Sequence, residues 1–299
     1  MEKRTLGKTG MDVTVLGFGA AEIGHRGVPQ DTVARLLNAA LDSGLNVIDT
    51  AECYPDSEEK IGEAVAGRRG DYFLFSKVGH DGNSFGAGNH WNPAMMTKSI
   101  DRSLKRLRTD RLDLMQLHSC TEAQLRQGDV IDVVRRAREA GRTRFIGYSG
   151  DGQAALYAVR SGVFDTLQIS VSIADQEGID LVLPATKQAG MGVIAKRPIA
   201  NAIWQSQSKP DPYYQAYWSR FHDLDYDFLK GDMARAVGTA LRFTLSMDGV
   251  HTAIVGTTQP GRWAQNADLL KEGPLDASSI QAIRSRWKAV AKPDWVGQI

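Results

Sequence analysis

Short apolar runs alternate with amphipathic segments along most of the chain. The amphipathic segments repeat apolar residues at helical spacing, and several end at a glycine, which favours the left-handed conformation of a helix C-terminus. Runs this uniformly apolar are typical of strands in a parallel sheet covered by helices. We predict strands over 15–19, 46–49, 72–77, 112–118, 144–149, 166–170, 192–196 and 252–256. Eight strand and helix units predict an α/β fold, a (β/α)8 TIM barrel.

Three segments lie outside this repeat. Residues 4–6 and 11–14 alternate around the glycines of LGKTG and predict an N-terminal β-hairpin. Residues 198–232, rich in Pro, Tyr, Trp and Ser, predict a long loop after the seventh strand that acts as a lid. Residues 276–290 predict a C-terminal helix with a cap at Asp276, Ser278 or Ser279. We expect one domain over residues 1–299.

Composition argues against several classes of function. The chain has 299 residues, with 36 basic and 35 acidic side chains and a formal net charge of +1, so we expect no nucleic-acid partner. No signal-peptide core is visible, and no apolar run approaches the roughly 18 residues of a membrane span. We expect a cytoplasmic protein with no membrane partner, and the pattern predicts no oligomeric state. Cys53 and Cys120 fit neither a disulfide framework nor zinc spacing, so we expect reduced buried thiols and no metal.

Four side chains suited to carbonyl chemistry follow apolar runs in chain order. They are Asp49, Tyr54, Lys77 and His118, which we call the tetrad. Active sites of TIM barrels lie at the carboxyl ends of the strands, so we expect these residues to converge. A tyrosine with an ordinary pKa of about 10 needs a nearby cation to protonate an alkoxide well. In this interpretation Lys77 lowers the pKa of Tyr54, Asp49 anchors Lys77, and His118 orients the carbonyl.

The residues around the tetrad resemble the aldo-keto reductase superfamily. NVIDTAECY (46–54) is similar to one family element, SLKRLRTDRLDLMQLH (103–118) is similar to a second, and the resemblance covers essentially the whole chain. It implies an NAD(P)H-dependent oxidoreductase that reduces aldehydes or ketones to alcohols. It also implies that the tetrad is catalytic, with Tyr54 as the general acid.

The resemblance further implies a site for NADP(H), with NAD(H) as the alternative. The family's ligands of the adenosine 2′-phosphate and adenine match Thr257, Thr258, Arg262, Gln265 and Asn266 in IVGTTQPGRWAQN (254–266). Hydroxyl groups and a guanidinium at a helix N-terminus suit a phosphate dianion. Ser149 and Gln168 match the positions that hold the nicotinamide carboxamide. Gly19, Lys196 and Arg197 are the remaining expected cofactor contacts.

The chain departs from the family pattern in three places. Gly150 stands where the family has an asparagine beside the carboxamide site. Lys196 and Arg197 stand where it has a tyrosine that stacks on the nicotinamide. Residues 19–21 lack the aromatic wall of a GTW-like turn. These departures all face the expected cofactor.

Aromatic residues outside the tetrad supply candidates for a substrate pocket. Trp91 and Trp204 follow the third and seventh strands and are expected to line a pocket for a small carbonyl or alcohol, with packing against the barrel rim as the alternative. The remaining histidines are interpreted as loop or surface residues: His25, His80, His90, His222 and His251. Of these, His25 and His90 are candidates for the pocket rim.

Other activities are compatible with the same fold. A sugar or alcohol dehydrogenase would run the site in the oxidative direction with NAD(P), and Gly150 with the 196–197 pair favours this alternative. A Schiff-base lyase would use Lys77 or Lys196 as its nucleophile, since desolvation lowers an amine pKa. The phosphate-type loop 256–266 argues against the lyase. A purely regulatory subunit is disfavoured by the intact tetrad.

Overall fold

Strands and helices alternate through the computed structural model, which describes residues 1–80 and 90–298. The strands are β1 (Lys3–Thr5), β2 (Asp12–Thr14), β3 (Leu16–Gly19), β4 (Val47–Asp49), β5 (Phe73–Val78), β6 (Leu112–His118), β7 (Thr143–Ser149), β8 (Thr166–Ser170), β9 (Gly192–Lys196) and β10 (Thr252–Val255). The helices are α1 (Ala21–His25), α2 (Gln30–Asp42), α3 (Ser57–Val65), α4 (Pro93–Arg106), α5 (Glu122–Gln127), α6 (Asp129–Glu139), α7 (Gly152–Arg160), α8 (Glu177–Leu181), α9 (Leu183–Gln188), α10 (Gln215–Leu224), α11 (Met233–Leu245), α12 (Arg262–Leu269) and α13 (Ala277–Val290).

Strands β3 to β10 close into one parallel ring. They pair in chain order, and β10 also pairs with β3, where Ala253 lies opposite Leu16 and Val255 opposite Phe18. The predicted TIM barrel and its N-terminal hairpin, formed by β1 and β2, are confirmed. The observed ends of the barrel strands lie within one residue of the predicted ends. The apolar runs therefore located the strands because nearly every position in them is buried.

A hydrophobic floor closes the end of the barrel at which the strands begin. Leu6, Met11 and Val13 of the hairpin region pack there against inward-facing residues of five strands. Those strand residues are Val47, Phe75, Leu114, Ile194 and Ile254. Burying an apolar side chain of this size contributes about 1.5–3 kcal/mol. The hairpin thus acts as a plug that fills the lower half of the barrel.

A polar layer lies directly above this floor. Side chains alternate along a strand, so the residue two positions after each floor residue also faces the interior. On four strands that residue is polar: Asp49, Lys77, Gln116 and Lys196. The strand register continues the layer, because His118 lies opposite Ser149 and Ser149 opposite Gln168. The fold therefore gathers the polar side chains at the carboxyl ends of the strands.

The segment between β9 and α11 is an insertion, as predicted, but much of it is helical rather than irregular. It contains α10 and 3-10 turns at Ala200–Gln205, Pro212–Tyr214 and Asp227–Leu229. Tyr217 and Leu224 of α10 are buried, so tertiary packing stabilises this helix. The predicted C-terminal helix is confirmed as α13, and its cap is Asp276, which accepts a hydrogen bond from the Ser279 backbone nitrogen at 2.8 Å. Across the described residues, no helix combines the length and apolar character required to span a membrane.

Gly62 tests how tightly the helix after Tyr54 packs on its neighbour. A Cβ at this position of α3 would lie 2.2 Å from the Arg106 carbonyl oxygen, and the backbone there cannot move cheaply. We expect Gly62→Ala to lower the free energy of unfolding by about 1–3 kcal/mol in urea denaturation. Gly67→Ala is the matched control, since no atom lies within 4 Å of its added Cβ, and its effect should stay below about 0.5 kcal/mol. Equal stabilities of the two variants would contradict this packing.

Candidate active site

An ion pair between Asp49 and Lys77 lies at the centre of the polar layer. Lys77 Nζ donates to Asp49 Oδ1 at 2.5 Å and to the Thr50 carbonyl oxygen at 2.8 Å. Gln116 Nε2 donates to the second carboxylate oxygen of Asp49 at 3.1 Å. Both charged residues are 1% exposed, so they depend on these partners. Burial raises the pKa of Asp49, and the charge of Lys77 opposes that rise.

Tyr54 lies next to this pair on the connection between β4 and α3. Lys77 Nζ is 5.3 Å from the centroid of the Tyr54 ring, and the His118 ring meets Tyr54 edge-on with centroids 5.9 Å apart. The sequence suggested that Lys77 lowers the pKa of this phenol. In the structure burial dominates and raises the pKa of Tyr54, and Cys53 and Asp49 add to the rise. The resting hydroxyl group is therefore protonated and able to donate.

His118 completes the tetrad from the end of β6. Its imidazole is buried, and burial lowers the pKa of His118 well below the ordinary value, with the charge of Lys77 adding to the effect. The ring is therefore neutral near pH 7, with one donor nitrogen and one acceptor nitrogen. Cys53 Sγ lies 3.4 Å from His118 Nδ1. The structure brings all four tetrad residues together.

Ser149 and Gln168 lie on adjacent strands in the same layer. Ser149 Oγ donates to Gln168 Oε1 at 2.9 Å, and the Gln168 side chain also interacts with the Asp49 carboxylate. The buried amide nitrogen of Gln168 carries two hydrogens, so it can donate to a ligand as well. A carboxamide oxygen fits this donor, so the pair suits the nicotinamide end of NAD(P)H.

Gly150 departs from the family's asparagine for a packing reason. A Cβ on Gly150 would lie 2.5 Å from the hydroxyl oxygen of Tyr148. The ring of Tyr148 fills this space, and its hydroxyl group donates to the Cys120 carbonyl oxygen at 2.6 Å. The tyrosine therefore leaves no room for an asparagine side chain beside Ser149.

Lys196 and Arg197 occupy the place of the family's stacking tyrosine. Each of their basic groups has defined partners in the structure. Lys196 Nζ pairs with Asp151 Oδ2 at 2.8 Å. Arg197 donates to the Tyr213 hydroxyl oxygen at 2.9 Å and to the Gln298 carbonyl oxygen at 2.6 Å. Its backbone has a φ of +54°, a left-handed conformation that is uncommon for arginine. The Tyr213 side chain of the lid segment and the Gln298 backbone of the C-terminal tail thus meet at the end of β9.

The connection from β10 into α12 has the form of an anion site. Gly261 precedes α12 in a left-handed conformation, and no side chain among residues 1–80 and 90–298 caps the N-terminus of this helix. Arg262 is exposed and donates to Gln259 Oε1 at 3.0 Å. Amide groups and a guanidinium at a helix N-terminus favour a bound phosphate. The other predicted ligands lie on the same connection or helix, with Asn266 buried and the rest at least partly exposed: Thr257, Thr258 and Gln265.

Gly19 lies at the end of β3 beside this connection. A Cβ on Gly19 would lie 3.7 Å from the Gly256 backbone nitrogen, which is an ordinary contact. A Cβ on Gly256 would instead lie 2.9 Å from the Gly19 carbonyl oxygen. The close approach of β3 and the end of β10 therefore requires glycine at position 256 more strictly than at position 19.

Trp91 and Trp204 have different surroundings. The Trp91 ring lies 5.4 Å from the ring of His80, which in turn lies 5.2 Å from the ring of His118. Trp204 packs edge-on against Phe221 of α10, with centroids 5.3 Å apart. Trp91 is thus linked to the tetrad through His80, whereas Trp204 is linked to the lid segment.

Residues 15–288 match the family model described as the Aldo/keto reductase family. The chain belongs to this family. The resemblance to this family is therefore confirmed, and as a family member the protein is an oxidoreductase that reduces carbonyl compounds with NAD(P)H. L-galactose dehydrogenase of Arabidopsis thaliana is 30% identical, over 71% of this chain and 69% of that protein.

Two solved structures place this aldo/keto reductase beside others of its fold. The holo form of aldo-keto reductase AKR11C1 from Bacillus halodurans has a TM-score of 0.80 and 25% identity, with 99% of each chain covered. An aldo/keto reductase from Klebsiella pneumoniae in complex with NADP and acetate has a TM-score of 0.72 and 24% identity, over 98% of this chain and 97% of that one. The barrel is thus shared along almost the full length of all three chains.

Glu52, Gln116 and His80 belong to this aldo/keto reductase site although the sequence did not predict them. Glu52 Oε1 accepts hydrogen bonds from the backbone nitrogens of Gly79 at 2.7 Å and His80 at 2.8 Å. His80 lies in the loop after β5, as expected, but it is not at the surface, because its ring is buried and donates to the His118 carbonyl oxygen at 3.0 Å. Gln116 carried a usable signal: it is polar within an apolar strand and precedes His118 by two residues, which puts both on one face.

The described part of the chain contains no candidate metal site. Among residues 1–80 and 90–298, no group of three or more His, Cys, Asp or Glu side chains is arranged to hold an ion. Cys53 and Cys120 are both buried free thiols.

Glu52 should make the stability of the protein depend on pH. Burial raises the pKa of Glu52 from 4.5 to about 8. The folded protein therefore binds more protons than the unfolded chain between these values, and this group lowers stability as the pH rises from about 5 to about 8. Glu52→Gln removes the titration, so we expect the fall in unfolding free energy over that range, measured in urea, to become smaller.

Glu63→Gln is the matched control, since Glu63 is an exposed carboxylate on α3. Its pH profile should follow the wild type. A Glu52→Gln profile as steep as the wild-type profile would show that Glu52 does not titrate in this range.

Proposed function

We propose that this aldo/keto reductase reduces an aldehyde or ketone with NADPH and that Tyr54 donates the proton. The observation that carries the proposal is the buried Asp49–Lys77 pair, with the Tyr54 ring close to Lys77 and the His118 ring beside it. These side chains lie at the carboxyl ends of the strands, where barrels of this type carry their active sites.

Each tetrad residue has a separate task in the proposed reaction. Bound NADPH supplies a hydride to the carbonyl carbon. The Tyr54 hydroxyl group donates its proton to the carbonyl oxygen as negative charge develops there. The charge of Lys77 stabilises the phenolate left on Tyr54, and Asp49 holds Lys77 in place. His118, as a neutral imidazole, donates a hydrogen bond to the same oxygen and orients it.

The cofactor residues support binding of NADPH at both of its ends. Ser149 and Gln168 would hold the carboxamide through the buried Gln168 amide group. The guanidinium of Arg262 and the amide groups at the start of α12 would bind the 2′-phosphate. Lys196 and Arg197 would lie beside the nicotinamide end of the bound cofactor. The remaining proposed contacts are Gly19, Thr257, Thr258, Gln265 and Asn266.

The protonation of Tyr54 favours the reductive direction near neutral pH. Burial raises the pKa of Tyr54, so the hydroxyl group is present as an acid, whereas alcohol oxidation requires its conjugate base. Burial lowers the pKa of Lys196, but ion pairs argue against the lyase alternative. A Schiff-base nucleophile must be an uncharged amine, and both candidate amines lie in ion pairs, Lys77 with Asp49 and Lys196 with Asp151.

Tyr54→Phe tests the proposed general acid. We expect kcat for NADPH-dependent reduction of a panel of aldehydes and ketones to fall by about 100-fold or more, because the proton donor is lost. The Kd for NADPH, followed by quenching of tryptophan fluorescence, should change by less than about twofold. Tyr157→Phe on α7 is the matched control and should keep wild-type turnover. Full turnover by Tyr54→Phe would remove Tyr54 from its proposed role.

Arg262→Ala tests the preference for NADPH. We expect the Kd for NADPH to rise by about tenfold or more, because a charge-assisted hydrogen bond to the 2′-phosphate is lost. The Kd for NADH, which lacks that phosphate, should change by less than about twofold. Arg160→Ala, at an exposed arginine of α7, should leave both constants unchanged. Equal weakening of NADPH and NADH binding would contradict the phosphate assignment.

A further inference from the structure

Cys53 is a buried thiol beside the tetrad that the proposed reaction does not use. It is 1% exposed and immediately precedes Tyr54 on the connection between β4 and α3. Its Sγ lies 3.4 Å from Nδ1 of His118, a hydrogen-bonding distance for sulfur. Cys53 therefore contacts one ring nitrogen of His118, Nδ1, and leaves the other, Nε2, on the far side of the ring.

Both partners of this contact are uncharged near neutral pH. Burial and the nearby carboxyl group of Glu52 raise the pKa of the Cys53 thiol to about 12. Burial and the charge of Lys77 lower the pKa of His118. A thiolate–imidazolium pair is thus disfavoured, and two proton arrangements remain. Either the thiol donates to Nδ1, or an Nδ1–H group donates to sulfur.

The chemistry of the two groups selects the first arrangement. The first arrangement pairs the thiol, a weak donor, with an unprotonated imidazole nitrogen that accepts hydrogen bonds readily, whereas the second makes the sulfur, a weak acceptor, receive the bond. A neutral imidazole carries its hydrogen on the nitrogen that is not accepting. We propose that Cys53 is a positioning residue whose thiol donates to His118 Nδ1 and thereby keeps the hydrogen on Nε2, where it can reach the substrate carbonyl oxygen.

This inference rests on the proposed role of His118, and the backbone around Cys53 suits it. Glu52, the preceding residue, binds the backbone of Gly79 and His80, and the Tyr54 backbone nitrogen donates to the Ala51 carbonyl oxygen at 3.1 Å. The position of the thiol is thus fixed from both sides. The bond from His80 ends on the backbone carbonyl oxygen of His118 and not on its ring.

The proton arrangement on His118 can be measured directly. Selective 15N labelling of histidine gives NMR signals that distinguish the two neutral tautomers and the imidazolium form, and His118→Asn identifies the His118 signals by their loss. We expect the wild-type protein to carry the hydrogen on Nε2. In Cys53→Ala we expect a mixture of tautomers and a fall in kcat of about three- to tenfold, at an unchanged Kd for NADPH.

Two further variants distinguish the loss of the hydrogen-bond donor at Cys53 from the loss of side-chain packing. Cys53→Ser keeps a hydroxyl donor and should retain the Nε2–H tautomer, with kcat within about twofold of the wild type. Cys120→Ala removes the other buried thiol, and it should change neither the tautomer nor kcat.

Two results would overturn the proposal. A wild-type His118 with its hydrogen on Nδ1 does so without any variant, whatever the stability of the Cys53 variants. A Cys53→Ala protein that keeps the Nε2–H tautomer together with wild-type kcat does so as well. Failure of the proposed function has a different signature, namely full turnover by Tyr54→Phe, and it leaves the tautomer measurement intact.

Discussion

The Asp49–Lys77 ion pair is the constraint on which the barrel interior depends. Two charges buried this deeply are tolerated only when mutual attraction and further hydrogen bonds offset their desolvation, and loss of one partner typically costs about 3–5 kcal/mol. Gln116 and the Thr50 carbonyl group supply those further bonds. The apolar floor beneath the pair comes from the same strands, two residues earlier. The alternation of side chains along these strands therefore specifies both the apolar floor and the buried charged residues above it.

This pattern explains why the fold and the tetrad could be predicted from the sequence. The strands are buried on nearly all sides and so appear as unbroken apolar runs, and the carboxyl ends of parallel strands meet by geometry. The contributions of Glu52, Cys53 and His80 could not be predicted in the same way, because they depend on contacts between loops. Gly150 is similar: only the position of the Tyr148 ring explains why an asparagine is absent there. Helix α10 was missed because its stability comes from burial against the barrel, not from a clear local pattern.

Lys196 and Arg197 at the end of β9 give this family member a distinct chemistry beside the proposed cofactor site. A stacking tyrosine offers an aromatic face, whereas Lys196 and Arg197 offer charge and directional hydrogen bonds. Their partners come from separate parts of the chain: Asp151 after β7, Tyr213 in the lid segment and Gln298 in the C-terminal tail. A change in any of these segments is therefore transmitted to the same pair of side chains.

Ring closure between β3 and β10 has a consequence for how the molecule forms. The two strands lie near opposite ends of the sequence, so their pairing carries a large loop-closure entropy and belongs to the contacts that slow folding. During synthesis the hairpin and β3 leave the ribosome early and present an unpaired strand edge until β10 follows. The last seam of the barrel therefore closes only when β10 is available, and an incomplete chain with an open strand edge is an aggregation hazard.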